Sequence, residues 1–304
     1  MAGKRDFEGV YPMLYAFFDA QGKLDRGAMR AQVELCVEDG VHGIAALGLG
    51  TEVAKLSAAE RRQVLAWVAE DLAGRLPLAI TVFGETPEEQ IAFVEAAAAA
   101  GADWVILQPP RGRGPSEEDL VRFFGEVADA SPLPVAIQNA PQYIGVGLSD
   151  RGVDQLSRHH PNVRLIKAEG SALEVRALIE LTDGRMSVWG GRGGLELTDN
   201  LRAGCAGMIP SVESAHVQAR IFRLMRTGRD EDAAEAERLY ENILPLITFL
   251  MQSVDQFLCY GKRLSARRIR LTEVHDRQPA QAPTTFGLAC LERHAAVLES
   301  LARS

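Results

Sequence analysis

The sequence of 304 residues has few cysteines, and their positions exclude two kinds of stabilising site. Cys36, Cys205, Cys259 and Cys290 are far apart, and they form neither a CxxC pair nor a Cys/His cluster with zinc spacing. Isolated cysteines of this kind are typical of reduced, mostly buried thiols in a cytoplasmic protein. We therefore expect no bound metal.

Long apolar runs and an excess of positive charge are also missing. No run of about 18 apolar residues occurs, and the N-terminal MAGKRDFEGVYP has no apolar segment like that of a signal peptide. The net charge of -8 lacks the basic excess of nucleic-acid binders and gives no attraction to an anionic membrane surface. We expect a cytoplasmic protein with neither a membrane nor a nucleic acid as partner.

Short apolar runs alternate with amphipathic stretches as far as residue 228. The runs predict eight strands, at 9–17, 43–48, 78–83, 104–108, 134–139, 164–169, 186–191 and 207–212. Helices are predicted at 26–39, 116–130, 149–159, 171–182, 193–203 and 213–227. Two more helices are predicted to begin at the capping box of Ser57 and at Thr86 and Pro87. Eight strand–helix units predict an α/β fold, the (β/α)8 TIM barrel. A doubly wound sheet is less favoured, because no GxGxxG follows the first strand.

The alternation stops after residue 228. Residues 229–257 and 283–302 are predicted to be helical, with no strand between them. We therefore predict a barrel over 1–228 and a C-terminal helical extension of the same domain over 229–304. The basic stretch GKRLSARRIR (261–270) is interpreted as a solvated or subunit-contact surface.

A lysine at the end of a buried strand is the main candidate for chemistry. Active sites of (β/α)8 barrels lie at the C-terminal ends of the strands, where Lys167 is predicted. Glu169 shares its face, about 7 Å away, and Gln138 lies at the same height on the preceding strand. A neutral lysine amine attacks ketones to form an imine. The residues alone leave another interpretation open, a lysine that extends into solvent and pairs with Glu169.

Three motifs accompany this lysine, LGLGTE (47–52), LSAAER (56–61) and QNAP (138–141). Together they resemble the dihydrodipicolinate synthase/N-acetylneuraminate lyase family over nearly the whole chain. The resemblance implies a (β/α)8 barrel, a homotetramer or homodimer, no cofactor, and a Schiff base between Lys167 and a 2-keto acid substrate. It also implies contacts with that substrate from Gly48, Leu49, Gly50, Thr51, Tyr143, Gly190 and Ile209.

The chain departs from the family pattern at four places: the turn after strand 2, Gln138, the loop PPRGRGP (109–115) where an aromatic pair is usual, and Tyr143 where the synthases have an arginine. The usual G-T-T-G-E turn has the sequence GLGTE over 48–52, and the usual acid/base tyrosine is replaced by Gln138. An amide does not titrate near neutrality, so Gln138 orients groups but cannot act as a general base. The sequence is similar to the 2-keto-3-deoxy sugar acid dehydratases, in particular those acting on L-2-keto-3-deoxyarabonate, which also have this glutamine and a glutamate two residues after the lysine. By that resemblance Glu169 is the acid/base group.

Two other functions stay open at this point. One is a pyruvate-dependent aldolase or a dihydrodipicolinate synthase-like condensation, and the other is a catalytically lapsed barrel that only binds a keto acid. The loop PPRGRGP (109–115) offers Arg111 and Arg113 to the distal groups of a substrate, although solvated loop arginines explain them equally well.

Overall fold

The computed structural model of the protein describes residues 7–110, 112 and 114–301. Its strands are β1 (Gly9–Val10), β2 (Ile44–Ala46), β3 (Leu78–Val82), β4 (Trp104–Leu107), β5 (Val135–Asn139), β6 (Val163–Ala168), β7 (Ser187–Gly190) and β8 (Gly207–Met208). The helices between and just after them are α1 (Arg26–Glu38), α2 (Ala58–Leu72), α3 (Pro87–Ala99), α4 (Glu117–Ala130), α5 (Pro141–Ile144), α6 (Asp150–His159), α7 (Ala172–Thr182), α8 (Leu197–Ala203) and α9 (Ala215–Arg226). The C-terminal helices are α10 (Asp230–Leu250), α11 (Val254–Gln256), α12 (Lys262–Arg268) and α13 (Thr285–Leu301). Single turns of 3₁₀-helix lie at Val53–Lys55, Arg192–Gly194 and Val212–Ser214, and a π-helical turn lies at Phe257–Gly261.

The eight strands are parallel and form one sheet in the order β1-β8-β7-β6-β5-β4-β3-β2. Met13 closes this sheet, because it forms parallel bridges both with Ala45 in β2 and with Ser211 just after β8. The predicted (β/α)8 barrel is therefore confirmed.

The first strand is much shorter than the predicted 9–17. Its regular ladder ends at Val10, because Pro12 has no N–H to donate to a neighbouring strand. Beyond the proline, the Leu14 N–H donates to the Ala45 carbonyl at 2.9 Å, so the segment still seals the barrel. The last predicted strand, 207–212, likewise has only two residues in the ladder.

The barrel interior is filled by one apolar cluster. Its members are Tyr11, Met13, Ala45, Ala79, Trp104, Ile106, Ala136, Leu165, Trp189 and Ile209. The indole rings of Trp104 and Trp189 lie 5.2 Å apart, and the Tyr11 ring meets Trp189 edge-on at 5.0 Å. A second cluster packs the outer faces of the strands against the helices, which explains why the strands are apolar on both faces. The four cysteines are free thiols and three of them are buried, as predicted.

Several helix starts agree with their sequence signals. Ser57 forms a reciprocal capping box with Glu60 at the start of α2, and Thr86 caps α3 with Pro87 in its first turn. The helix predicted at 193–203 begins only at Leu197, because Gly193 and Gly194 have φ of 64° and 92°, outside the helical region.

No strand follows β8 in the described part of the chain, and the C-terminal segment is helical around an irregular stretch at residues 269–284. Residue 228 lies between α9 and α10, and the division of the chain at this point stays a prediction. Among the described helices none is by itself long and apolar enough to cross a membrane; Asp230–Leu250 and Val254–Arg268 reach that length and composition only when counted together across a bend of 113°.

The interpretation of 261–270 as a solvated surface is wrong for Lys262. This side chain is 1% exposed, and its ammonium bonds to the buried carboxylate of Glu52 and lies 3.5 Å from Asp276. Glu52 has a φ of 54° and also accepts a hydrogen bond from Lys55 at 2.6 Å. The buried pair therefore ties helix α12 to the turn that follows β2.

We expect Lys262→Met to lower the free energy of unfolding by about 3 kcal/mol, measured by urea denaturation. Breaking a buried ion pair leaves a carboxylate without its partner, and the retained contact with Lys55 keeps the loss near the lower end of the usual range. The control Lys23→Met changes an exposed lysine and should have almost no effect. Equal stability of the two variants would show that the pair does not hold the two segments together.

Candidate active site

Polar side chains form the layer of the barrel interior that lies above the apolar cluster. Leu165 belongs to that cluster, and Lys167, two residues later on β6, points to the same side because strand side chains alternate. Gln138 on β5 is the register partner of Lys167 and is 2% exposed. Lys167 and Gln138 therefore lie at the same height on neighbouring strands, as predicted, and the lysine amine lies inside the mouth of the barrel.

Lys167, Glu169 and Gln138 contact one another in a closed triangle. The Lys167 Nζ lies 2.7 Å from Glu169 Oε1 and donates to Gln138 Oε1 at 3.3 Å. Gln138 Nε2 donates to the same Glu169 oxygen at 3.1 Å. The amide thus faces the amine with its acceptor and the carboxylate with its donor, which fixes the orientation of all three groups.

The second oxygen of Glu169 is held by the loop after β7. Glu169 Oε2 accepts a hydrogen bond from the backbone N–H of Arg192. This approach requires a glycine at 191, because a Cβ there would lie 2.2 Å from Glu169 Oε2. The glycine-rich stretch 190–194 therefore makes room for the carboxylate and supplies it with a donor.

Lys167 and Glu169 are buried side chains that line a single cavity. They are 8% and 7% exposed, so Lys167 does not extend into solvent. Predicted residues that also line the cavity are Leu49, Gly50, Tyr143 and Ile209. Further lining residues, which were not among the predicted site residues, are Met13, Arg192, Gly193, Pro210, Ser211, Met251, Val254 and Phe257.

The turn after β2 lines the cavity, but the hydroxyl of Thr51 in this turn is hydrogen-bonded to backbone groups. The Thr51 hydroxyl donates to the Leu14 carbonyl at 2.6 Å and accepts from the Leu47 N–H at 2.9 Å, so it does not line the cavity. The N–H groups of Leu49 and Gly50 make no hydrogen bond within the described residues. They are therefore available to an anionic oxygen.

Two predicted glycines lie behind the cavity wall. A Cβ on Gly48 would lie 2.5 Å from the end of the Met13 side chain, and one on Gly190 would lie 2.2 Å from the Met208 sulfur. Both positions are glycine because of this close packing, and neither lines the cavity. Arg111 and Arg113 lie outside the described residues.

Tyr143 and the ion pair between Arg192 and Glu196 flank the opening. Burial and the negative charge of Glu169 raise the pKa of Tyr143, and the Arg192 guanidinium opposes this shift. Burial also raises the pKa of Glu196, against the effect of Arg192 at 3.0 Å. Tyr143 is therefore a neutral phenol near pH 7, suited to donate a hydrogen bond and not to act as a base.

The C-terminal segment completes the site. Met251, Val254 and Phe257 lie between α10 and α12 and form an apolar wall of the cavity. No local sequence signal indicates this role, since apolar residues near helix ends are common throughout the chain. A buried amine beside a carboxylate can form an imine with a ketone, because the carboxylate takes the proton that the amine must lose.

Comparisons with known proteins agree with this geometry. The statistical model of the Dihydrodipicolinate synthetase family matches residues 6–275. The 4-hydroxy-tetrahydrodipicolinate synthase of Methanothrix thermoacetophila is 30% identical over 242 residues, which are 79% of this chain and 81% of that protein. The putative 2-dehydro-3-deoxy-D-gluconate aldolase YagE of Escherichia coli is 29% identical over 243 residues, 79% of this chain and 80% of that protein.

Solved structures share the fold over almost the full length. The 4-hydroxy-tetrahydrodipicolinate synthase from Methylacidiphilum fumariolicum SolV has a TM-score of 0.87 and 25% sequence identity, and the match covers 97% of this chain and 96% of that one. A synthase and an aldolase are both lyases, so the predicted enzyme class is confirmed together with the barrel. The chain belongs to the dihydrodipicolinate synthetase family.

Proposed function

We propose that the protein is a Schiff-base-forming lyase that dehydrates a 2-keto-3-deoxy sugar acid through an imine on Lys167. The observation that carries this proposal is the contact of 2.7 Å between the buried Lys167 amine and Glu169 in the cavity at the barrel mouth. An imine lysine needs a sheltered amine and a group that exchanges protons beside it, and these two residues supply both.

The proposed reaction uses the imine as an electron sink. The ketone carbon of the substrate condenses with Lys167 and releases water, and the resulting iminium acidifies the protons on C3. Glu169 removes one of them, and the electron pair of that C–H bond forms an enamine. The C4–O bond then breaks, and its oxygen leaves as water with a proton that Glu169 returns. Such acid/base assistance typically contributes 10²–10⁴-fold to the rate.

Gln138 favours dehydration over tyrosine-driven chemistry. It occupies the position where the family resemblance implies a tyrosine, and its amide contacts both Lys167 and Glu169. Since an amide has no proton to exchange near neutrality, the exchange falls to the carboxyl group next to it.

The substrate carboxylate is proposed to bind the turn after β2. Leu49 and Gly50 contribute free N–H groups, while Thr51 supports the turn through its inward hydrogen bonds. Tyr143 and Ile209 contribute walls near the distal and the imine end of the substrate. Gly48 and Gly190 act indirectly, because they allow the close packing behind the cavity.

Aldol cleavage is the second candidate, and it is favoured by the name of the Escherichia coli relative, a putative 2-dehydro-3-deoxy-D-gluconate aldolase. Product analysis with a panel of 2-keto-3-deoxy acids separates the two reactions. Dehydration gives a 2,5-dioxo acid with no loss of carbon, whereas aldol cleavage gives pyruvate and an aldehyde. A lapsed barrel that only binds a keto acid would give neither product.

The assembly and the location are part of the same proposal. We infer a homotetramer or homodimer from the family resemblance, and a cytoplasmic location from the four free thiols. Light scattering after size-exclusion chromatography measures the mass of the assembly directly, against 33.1 kDa for one chain. A single-chain mass at micromolar concentration would overturn the oligomer.

We expect Lys167→Ala to abolish covalent trapping of a keto acid. In the wild-type protein, borohydride should reduce the imine with pyruvate and leave a stable adduct on this lysine, detected by mass spectrometry of the digested protein. The control Lys23→Ala, which changes an exposed lysine, should trap pyruvate like the wild type. An adduct of unchanged yield in Lys167→Ala would place the chemistry on another residue.

We expect Glu169→Gln to reduce turnover of the 2-keto-3-deoxy acid by on the order of 10²–10⁴-fold, while the borohydride-trapped adduct still accumulates. The amide keeps the size of the carboxyl but cannot carry the C3 proton. Glu180→Gln, an exposed glutamate on α7, is the matched control and should turn over normally. Normal turnover in Glu169→Gln would remove this residue from proton transfer.

A further inference from the structure

A second carboxyl group lies directly behind the wall of the active-site cavity. Glu213, in the 3₁₀ turn after β8, is 3% exposed and accepts hydrogen bonds on both oxygens. Ser211 Oγ lies 2.5 Å from Oε1, and the Tyr15 hydroxyl lies 2.9 Å from Oε2. Ser211 lines the same cavity as Lys167, so a continuous chain of hydrogen bonds leads from the cavity to the buried carboxyl.

Glu213 has no cation beside it among the described residues. Its strongest positive neighbour is Arg268, which pairs with Asp39 at 2.7 Å and bonds to the Val212 carbonyl at 3.2 Å. Burial raises the pKa of Glu213, while the hydrogen bonds from Ser211 and Tyr15 oppose that shift. A carboxyl group without a counter-charge in such a place favours its neutral form. When the Ser211 hydroxyl turns to donate to a substrate, the neutral carboxyl can donate to Ser211 in its place.

The other polar groups in and around the cavity are less suited to pass a proton. The Thr51 hydroxyl is occupied by the Leu14 carbonyl, and Gln138 does not titrate. The Tyr143 phenol has a raised pKa and interacts with the guanidinium of Arg192. Ser211 differs from all three, because an ionisable group stands directly behind its hydroxyl.

Imine formation creates a demand for a second proton path. When a lysine ammonium and a ketone become an iminium and water, two protons leave the nitrogen and two arrive at the oxygen. Glu169 touches the nitrogen and transfers one proton at a time. A second group that exchanges protons at the oxygen removes the need to move both protons through one carboxyl group.

We propose that Ser211 is a catalytic residue that exchanges a proton with the C2 oxygen of the substrate, with Glu213 as its proton store and Tyr15 as a positioning residue. This inference rests on the proposed imine at Lys167.

The proton transfers balance as follows. As the amine adds to C2, the C2 oxygen takes the proton of Ser211, and Ser211 takes the proton of Glu213. The nitrogen then loses a second proton, which passes through Ser211 and restores Glu213. The oxygen then takes the proton held by Glu169, and the C–O bond breaks with its electron pair on the departing water. Both carboxyl groups end in the protonation state in which they began.

Exchange of the C2 oxygen of pyruvate with ¹⁸O-labelled water measures this step, because each cycle of imine formation and hydrolysis replaces that oxygen. We expect Ser211→Ala and Glu213→Gln to slow the enzyme-dependent exchange by on the order of 10²-fold. The fraction of protein trapped by borohydride at equilibrium should stay at the wild-type value, because a relay changes the rates of formation and hydrolysis equally. A purely structural role would lower the adduct fraction as well.

Ser214→Ala is the matched control. Ser214 is 1% exposed and accepts a hydrogen bond from Gln218 outside the cavity, so its loss should leave exchange and adduct unchanged.

Exchange at the wild-type rate in Ser211→Ala, with a normal adduct, would overturn the relay and leave the proposed function standing. A wild-type protein with neither adduct nor exchange would overturn both. If Ser211→Ala fails to fold, Tyr15→Phe gives an independent measurement: slower exchange supports the relay, and an unchanged rate contradicts it.

Discussion

The contact between the Lys167 amine and the Glu169 carboxylate is the interaction on which the site depends. Two buried charges are stable only when they are paired and hydrogen-bonded, and here Gln138 and the backbone of Arg192 complete the pairing. The same arrangement serves chemistry, because a carboxylate that holds an ammonium also accepts the proton that the amine must lose before it attacks a ketone. Gly191 makes this arrangement possible, since any side chain there would displace the carboxylate.

The site is divided between the barrel and the segment that follows it. The barrel strands supply the reactive groups, whereas the residues between α10 and α12 supply an apolar wall. The buried pair of Lys262 with Glu52 joins α12 to the turn that contributes Leu49 and Gly50 to the cavity lining. The C-terminal segment therefore shapes the substrate site as well as covering the barrel, and its loss would open the cavity to water.

Two carboxyl groups serve one cavity in different electrostatic surroundings. Glu169 is paired with a lysine, whereas Glu213 faces two hydroxyl groups and has no cation beside it in the described residues. Pairs of ionisable groups with opposed environments are a common basis for dividing acid and base roles. In the proposed relay Glu169 takes the first proton from the nitrogen and acts at C3, while Glu213, through Ser211, supplies the first proton to the C2 oxygen.

The sequence by itself determined the alternation of strands and helices, the caps at Ser57 and Thr86, and the pairing of Lys167 with Glu169, because all of these follow from local periodicity and short spacing. Only the tertiary structure decided the partner of Lys262 and the hydrogen bond between Tyr15 and Glu213, which are 198 positions apart. It also decided that the Thr51 hydroxyl bonds to the Leu14 carbonyl and that residues of the C-terminal segment form one wall of the cavity. Such contacts are set by how the closed sheet and its helices pack together, and no local pattern records which distant residues that packing brings into contact.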